Sequence, residues 1–366
     1  MKLLCMGEGL RSGVSDFILE NARKLGNVEI VTGMWDGHIG AAESLTVAIR
    51  TLEKEGPESQ PIPPAFAQNQ DAGIVVGGFC PFSRAGMALL TDCKIVGVIR
   101  AGLENIDVQA ATDQGKLVVN ATGRNAHAVS DFTVGMLLAE VRNIARAHRA
   151  MMEGNWSARF SNQGSIFDMN GKTLGLFGYG YIGRLVAKKM GGFDMRIIVH
   201  DPYLKPEDVA GDGVELVDKE TLFAESDFVS LHARWTEESH HTVGKKEIDA
   251  MKKTAYLVNT ARSGLMDYDA LYDALANRRI AGAALDVFDD EPLPMDNPFY
   301  KLDNVTLTPH RAGGTIDAQL NSPRLIFERI GNVIRGESLV GVVNPEVLDS
   351  PGFAEWLARA KKELEG

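Results

Sequence analysis

Apolar and polar positions along the chain switch between two periods, short unbroken apolar runs and stretches with helical spacing. Lys2–Met6 is an apolar run followed by helical spacing over Val14–Leu25, through Ile18, Ala22 and Leu25. Val28–Val31 reads as a second strand and Ala42–Leu52 as a second helix, and Glu55–Pro64 is a loop rich in Pro, Glu and Ser. Asp71–Val76 and Lys94–Ile99 are strand candidates with the helical run Arg84–Leu90 between them. Asn125–Met152 predicts one long helix, with apolar residues at Val129, Phe132, Met136, Leu137, Val141 and Ile144. It serves either as a subunit interface or as an intradomain helix with one buried stripe. Strands are then expected at Leu174–Phe177, Arg196–Val199, Phe228–His232, Ala255–Asn259, Gly282–Asp286 and Val305–Thr308. Helices are expected at Tyr268–Asn277 and Asp317–Arg335, ahead of Gly336–Pro345 and a charged tail, Gly352–Gly366. Runs apolar on both faces, alternating with helices, predict an α/β fold with parallel sheets covered on both sides.

One stretch turns this pattern into chemistry. The run Leu174–Phe177 leads into Gly178-Tyr179-Gly180-Tyr181-Ile182-Gly183, a helical stretch, the strand Arg196–Val199 and then Asp201. In such a turn one glycine makes the bend, one admits a pyrophosphate to the backbone, and one lets helix and strand pack closely. The helix N-terminus offers unpaired N–H groups and the positive end of its dipole to the diphosphate. Asp201 follows at about the 20-residue offset at which an acid receives the ribose hydroxyls of NAD. An isolated glycine motif is weak evidence, but strand, turn, helix, strand and acid in order predict a dinucleotide site.

This fingerprint lies midway along 366 residues, enough for two domains with their own cores. Sequence left over on both sides implies an insertion: two Rossmann-like domains, with an NAD-binding domain over 122–317 set inside a substrate-binding domain made of 1–121 and 318–366. A formal charge of −11 argues against a nucleic-acid partner. No apolar run approaches bilayer length, and Met1–Leu10 reads as a first strand rather than a signal peptide. Cys5, Cys80 and Cys93 are widely spaced without a CxxC pair, which fits reduced thiols in the cytoplasm.

The remaining polar candidates fall at predicted strand ends, where ligands of open α/β sheets bind. Arg262 follows Asn259-Thr260, Asp286 ends the strand Gly282–Leu285, Glu291 lies in DVFDDEPLP, and His310 follows a proline in TLTPHRAGG. Reduction of a 2-oxo acid needs a cation for the carboxylate, a proton donor for the carbonyl oxygen and a hydride. Arg262 offers the fork, His310 the proton and Glu291 a partner favouring the imidazolium. Each residue alone has a bland reading, as a cap, a structural hydrogen-bonder or a solvated charge. Together, after a dinucleotide turn, they favour catalysis.

These residues resemble the D-isomer-specific 2-hydroxyacid dehydrogenases. The likeness runs from about Ile95 to Pro345 and includes VIRAGLENID (Val98–Asp107), GRNAHAVSDFTVGMLLA (Gly123–Ala139), LGLFGYGYIG, NTARSGLMD (Asn259–Asp267), ALDVFDDEPLP (Ala284–Pro294) and TPHRAGGT (Thr308–Thr315). The resemblance implies Arg262 as substrate-binding arginine, Glu291 as the acid paired to histidine and His310 as acid–base. It implies NAD contacts from Gly178, Gly180, Tyr181, Ile182, Gly183, Asp201, Thr260, Ala261, Arg262, Asp286, His310, Ala312 and Gly313. It also implies backbone N–H groups of Ala101, Gly102 and Leu103 as a clamp for the substrate carboxylate, and a homodimer. The expected activity interconverts a D-2-hydroxy acid and its 2-oxo acid with NAD. The rivals are an NAD-sensing corepressor-like binding protein and a formate dehydrogenase-like enzyme, the latter disfavoured because such enzymes typically carry glutamine where Glu291 stands.

The chain departs from the family's usual pattern in places. Arg234 and Trp235 stand where many members have proline and leucine, and Asp131 replaces a frequent glutamate. Arg234 would attract a 2′-phosphate and Asp201 would repel one, so NAD is favoured over NADP. Arg311 follows His310 where a small apolar residue is usual; it either selects a second negative charge or points to solvent. His240-His241 lacks a second ligand pair and reads as a solvated turn rather than a metal site. Phe79-Cys80-Pro81-Phe82 either walls the substrate pocket or caps the core, and Cys80 has no evident activating partner.

Overall fold

The computed structural model of the protein describes residues 1–8, 14–35 and 42–365. The chain divides into two compact units, one made of Met1–Arg124 and Ile316–Gly366, the other of Asn125–Thr315.

The first unit is a parallel sheet of β1 (Lys2–Glu8), β2 (Glu29–Trp35), β3 (Ile74–Gly77), β4 (Ile95–Val98) and β5 (Leu117–Asn120), in the order β2-β1-β3-β4-β5. Strands β3, β4 and β5 are apolar and buried throughout, as a sheet covered on both faces demands. Leu4, Met6, Val75, Val96 and Val118 join the core on one face, whereas Leu3, Cys5, Ile74, Ile95 and Leu117 join that on the other. The second core is closed by the long helix Ile316–Arg335 and by a final helix, Pro351–Glu365. That helix corrects the expectation of a charged tail. Phe353, Trp356, Leu357, Ala360 and Leu364 recur at helical spacing and pack into the core, while the intervening charges face water.

The second unit carries seven parallel strands: β6 (Thr173–Phe177), β7 (Arg196–His200), β8 (Glu215–Leu216), β9 (Phe228–Leu231), β10 (Tyr256–Asn259), β11 (Gly282–Leu285) and β12 (Val305–Leu307). Their order is β12-β11-β10-β9-β6-β7-β8, so the chain starts in the middle, winds outward one way and then the other. The reversal between β6 and β9 opens a crevice at their carboxyl ends, the ligand position of doubly wound sheets. Registers Phe228↔Tyr256, Tyr256↔Gly282 and Leu285↔Leu307 bring the ends of β9, β10, β11 and β12 side by side.

The single helix expected over Asn125–Met152 is instead two, Ala126–Val141 and Ile144–Met152. Asn143 breaks it in a left-handed conformation (φ 56°). The break lets Arg146 fold back onto the fully buried Glu140, whose two oxygens it grips at 2.5 and 2.6 Å. Glu140 also accepts from Thr306 at 2.7 Å, and Gly282 leaves the room it needs: a Cβ there would stand 2.3 Å from Oε1. Burial pushes the Glu140 carboxyl up, and Arg146 opposes that shift.

The last helix yields a direct check. Phe353 is 1% exposed, so Phe353→Ala should cost about 3–5 kcal/mol by chemical denaturation. A loss below about 1 kcal/mol would mean that the helix is not part of the core.

Candidate active site

The glycine turn combines two close backbone approaches with one open face. Gly178 has φ +97°, and a Cβ there would stand 2.4 Å from the backbone nitrogen of Ala233. Gly183 faces the carbonyl oxygen of Gly178, which a Cβ would approach to 2.5 Å, so helix and strand touch through hydrogen atoms alone. Gly180 differs: nothing lies within 4 Å of where its Cβ would be. It caps the helix Tyr181–Met190 without a side-chain bond, and the first helical bond runs from Arg184 N to Gly180 O at 3.1 Å. The N–H groups of Tyr181, Ile182 and Gly183 therefore have no carbonyl partner within the helix. An open space before unpaired amides and a bare Cα fits a diphosphate. Asp201 follows β7, and its two oxygens accept from Tyr179 N at 2.9 Å and Tyr203 N at 3.1 Å. Each keeps a further lone pair for ribose hydroxyls.

Arg262 stands three residues beyond β10, in a turn held by the buried Asn259. The Asn259 carboxamide accepts from Ala261 N at 3.0 Å and donates to Arg262 O at 3.1 Å. Thr260 shares a 2.7 Å hydroxyl–hydroxyl bond with Thr133. Arg262 is exposed, bonds Ala261 O through Nη1, and pairs with no carboxylate among the described residues. Trp235 braces this turn: its indole lies where a Cβ on Gly264 would be, 2.4 Å from Nε1. His241 N donates to Gly264 O and Val243 N to Leu265 O, adding a backbone bracket.

Beyond β11 and β12 the decisive residue is Asp286, which is fully buried. Oδ1 accepts from the Thr308 hydroxyl at 2.5 Å and Arg311 N at 2.9 Å, and Oδ2 from Ala312 N at 2.8 Å. The Asp286 carbonyl accepts from His310 N at 2.9 Å, which holds His310 at φ 52°. Non-glycine residues take that conformation only when their surroundings impose it. His310 Nδ1 then meets Glu291 Oε2 at 2.7 Å, while Glu291 Oε1 accepts from Phe288 N at 3.0 Å. Glu291 thus fixes the ring and leaves Nε2 free. Burial pushes the other nearby histidine, His232, down to about 3, so it stays neutral near pH 7 and is a poor proton donor.

The central unit thus places Arg262, Asp286, Glu291 and His310 on the loops of adjacent strands β10, β11 and β12, with Thr260, Ala261, Ala312 and Gly313 between. Gly178, Gly180, Tyr181, Ile182, Gly183 and Asp201 lie on β6, β7 and the helix between them. Ala101, Gly102 and Leu103 belong to the other unit, just past β4, where Asn120 Nδ2 bonds Ala101 O at 2.9 Å. The supporting roles of Asn259, Thr308, Thr133 and the bracing Trp235 are not read from the sequence. Only Asn259 gave a signal, a polar residue closing an otherwise apolar strand. Cys80 and Phe82 are core residues, so that part of the Phe79–Phe82 segment caps the core.

The family model for the "D-isomer specific 2-hydroxyacid dehydrogenase, NAD binding domain" matches residues 134–312. A glyoxylate reductase of Korarchaeum cryptofilum is 40% identical over 263 residues, covering 71% of this chain and 79% of the relative. The chain belongs to the D-isomer specific 2-hydroxyacid dehydrogenase family. Its central unit is therefore the NAD-binding domain of that family. A D-3-phosphoglycerate dehydrogenase of Methanocaldococcus jannaschii is 44% identical over 253 residues, which span 69% of this chain but only 47% of that relative. The crystal structure of a glyoxylate reductase from Paecilomyes thermophila shares the fold at a TM-score of 0.73 and 25% identity, covering 94% of this chain and 99% of that one.

Asp286 generates a prediction. Asp286→Asn replaces an acceptor by a donor facing the Arg311 and Ala312 amides, so those amides should exchange faster by hydrogen-exchange mass spectrometry. Unchanged protection of the 308–312 segment would show that the carboxylate does not organise the loop.

Proposed function

We propose that the protein is an NAD-dependent oxidoreductase interconverting a D-2-hydroxy acid and its 2-oxo acid. The observation that carries this reading is the 2.7 Å contact between His310 Nδ1 and Glu291 Oε2, on the strand end that neighbours Arg262. Bound nicotinamide supplies or accepts the hydride at the substrate's C2. Arg262, its fork unclaimed by any acid among the described residues, holds the substrate's carboxylate and carbonyl oxygen. In reduction, His310 gives its Nε2 proton to the carbonyl oxygen as negative charge builds there, and Glu291 stabilises the imidazolium beforehand. In oxidation, neutral His310 takes the hydroxyl proton from C2. Asp286 positions the loop, with about one of its four acceptor sites left for the cofactor. Residues 1–121 and 318–366 are assigned to substrate binding and 122–317 to NAD, with the amides of Ala101, Gly102 and Leu103 clamping the carboxylate.

The same reading places the enzyme in the cytoplasm as a homodimer with a small-molecule substrate and no nucleic-acid partner. The three cysteines are buried and unbridged. Ile144, Met151, Met152 and Trp156 expose an apolar strip on and just beyond the second half of the broken helix. Such a strip suits a subunit contact. Among the described residues no helix is long and apolar enough to cross a membrane.

His310→Ala should lower kcat by about 10²–10⁴-fold with NADH affinity nearly kept. Turnover near wild type would remove His310 as proton donor. NADH binding with no reduction of any 2-oxo acid would favour the corepressor-like reading instead. Asp201→Ala should weaken NADH and relax discrimination against NADPH; fluorescence titrations with an unchanged preference would take Asp201 out of the ribose site.

A further inference from the structure

Beside the expected carboxylate clamp, the unit built from both chain ends carries two neighbouring arginines that lie inside the motifs of the resemblance but to which it assigns no role. Arg100 precedes Ala101, and Arg124 ends the segment after β5. Backbone bonds lace the two segments together: Ala121 N donates to Arg100 O at 2.9 Å and Arg124 N to Ala121 O at 3.1 Å. Asn120 Nδ2, bonded to Ala101 O, ties the clamp itself to the same segment.

The charges of this pair are answered unequally. Arg100 bonds Glu53, has Glu104 at 3.8 Å and lies 4.0 Å over the Phe79 ring. Arg124 has no carboxylate within ion-pair distance among the described residues; its one side-chain bond runs from Nη1 to the Ser322 hydroxyl at 3.1 Å. Both guanidinium groups keep a buried nitrogen without a partner, Nη1 of Arg100 and Nε of Arg124. Burial, reinforced by the neighbouring positive charge of Arg100, pushes Arg124 down from the usual arginine range. A half-buried cation with a buried, unpartnered Nε and no counter-ion among the described residues is costly, and an arginine held this way in the ligand-free protein is set up for an anion.

We propose that Arg124, flanked by Arg100, receives a second anionic group of the substrate, a phosphate or carboxylate remote from the carboxylate on the Ala101–Leu103 amides. The substrate is then a dianionic 2-oxo acid rather than a simple one such as glyoxylate or pyruvate. This rests on the proposed dehydrogenase activity and narrows it. Arg124 acts as a specificity residue, since the reacting carbon is served by Arg262 and His310.

The test compares wild type, Arg124→Gln and Arg124→Lys on 3-phosphohydroxypyruvate, hydroxypyruvate, oxaloacetate and pyruvate, by kinetics with NADH. Calorimetric binding in the presence of NAD, where no turnover occurs, is measured in parallel. Wild type should prefer the dianionic acids in kcat/KM. Arg124→Gln should lower the dianionic-to-monoanionic ratio by about 10–100-fold, the span of a hydrogen bond to a charged group, and Arg124→Lys should restore part of it. The ligand-free Arg124→Gln protein should melt no lower than wild type, because an uncompensated charge has been removed. Equal use of both acid classes by wild type would overturn the proposal. So would a glutamine variant that melts lower and loses both classes alike, since that marks a structural arginine. If no 2-oxo acid turns over, selective calorimetric binding of the dianionic acids, lost in Arg124→Gln, upholds the site while the activity fails. Binding of neither class overturns the site as well.

Discussion

A single buried carboxylate holds the reactive end of the central sheet together. Asp286 sits just past β11 with no ion-paired cation among the described residues, and the Thr308 hydroxyl and the amides of Arg311 and Ala312 bear its charge. Charge-assisted bonds to backbone N–H are among the stronger interactions a loop can make, and in a dry site they tolerate little rearrangement. Because Asp286 directly follows β11 and its donors follow β12, the pairing of those strands fixes where His310 begins. Asn259 does the same for Arg262 at the end of β10. The His310–Glu291 pair and the Arg262 guanidinium are thus positioned by the sheet, with the loops as short extensions of it.

This dependence explains what could be read in advance. The glycine turn, Asp201, Arg262, Glu291 and His310 stand out because the chemistry proposed for them needs particular residue types at fixed offsets from apolar runs. The strands β6, β9, β10 and β11 are short, wholly buried runs, and their apolar continuity is visible in one dimension. Strand β5 is of the same kind, but its run is short and ends in Asn120, so its signal is weaker. The residues that support the site are harder to see. Thr308, Thr133 and Trp235 act through contacts between segments far apart in sequence, and an ordinary threonine or tryptophan gives no local hint of them.

Two misreadings have physical causes. The helix expected to run unbroken to Met152 stops because Glu140 is buried in the sheet's face and needs Arg146, which only a turn at Asn143 can return to it. Apolar periodicity runs through that break, and polar burial outweighs it. The final helix was hidden in the opposite way. Its charged residues crowd the C-terminal end, and five apolar residues at helical spacing decide where it docks. In both places the side chains that set the structure are a minority of the segment.

The central claim, that the strand-end loops assemble a site for hydride exchange at C2 of a D-2-hydroxy acid, is tested most directly with isotope and chirality together. Hydroxypyruvate, 3-phosphohydroxypyruvate, oxaloacetate and pyruvate would be reduced with NADH deuterated at the transferring carbon, and each product analysed by mass spectrometry and chiral chromatography. The account predicts a D-acid carrying one deuterium at C2. An L-acid, or a D-acid without deuterium from the cofactor, would contradict it.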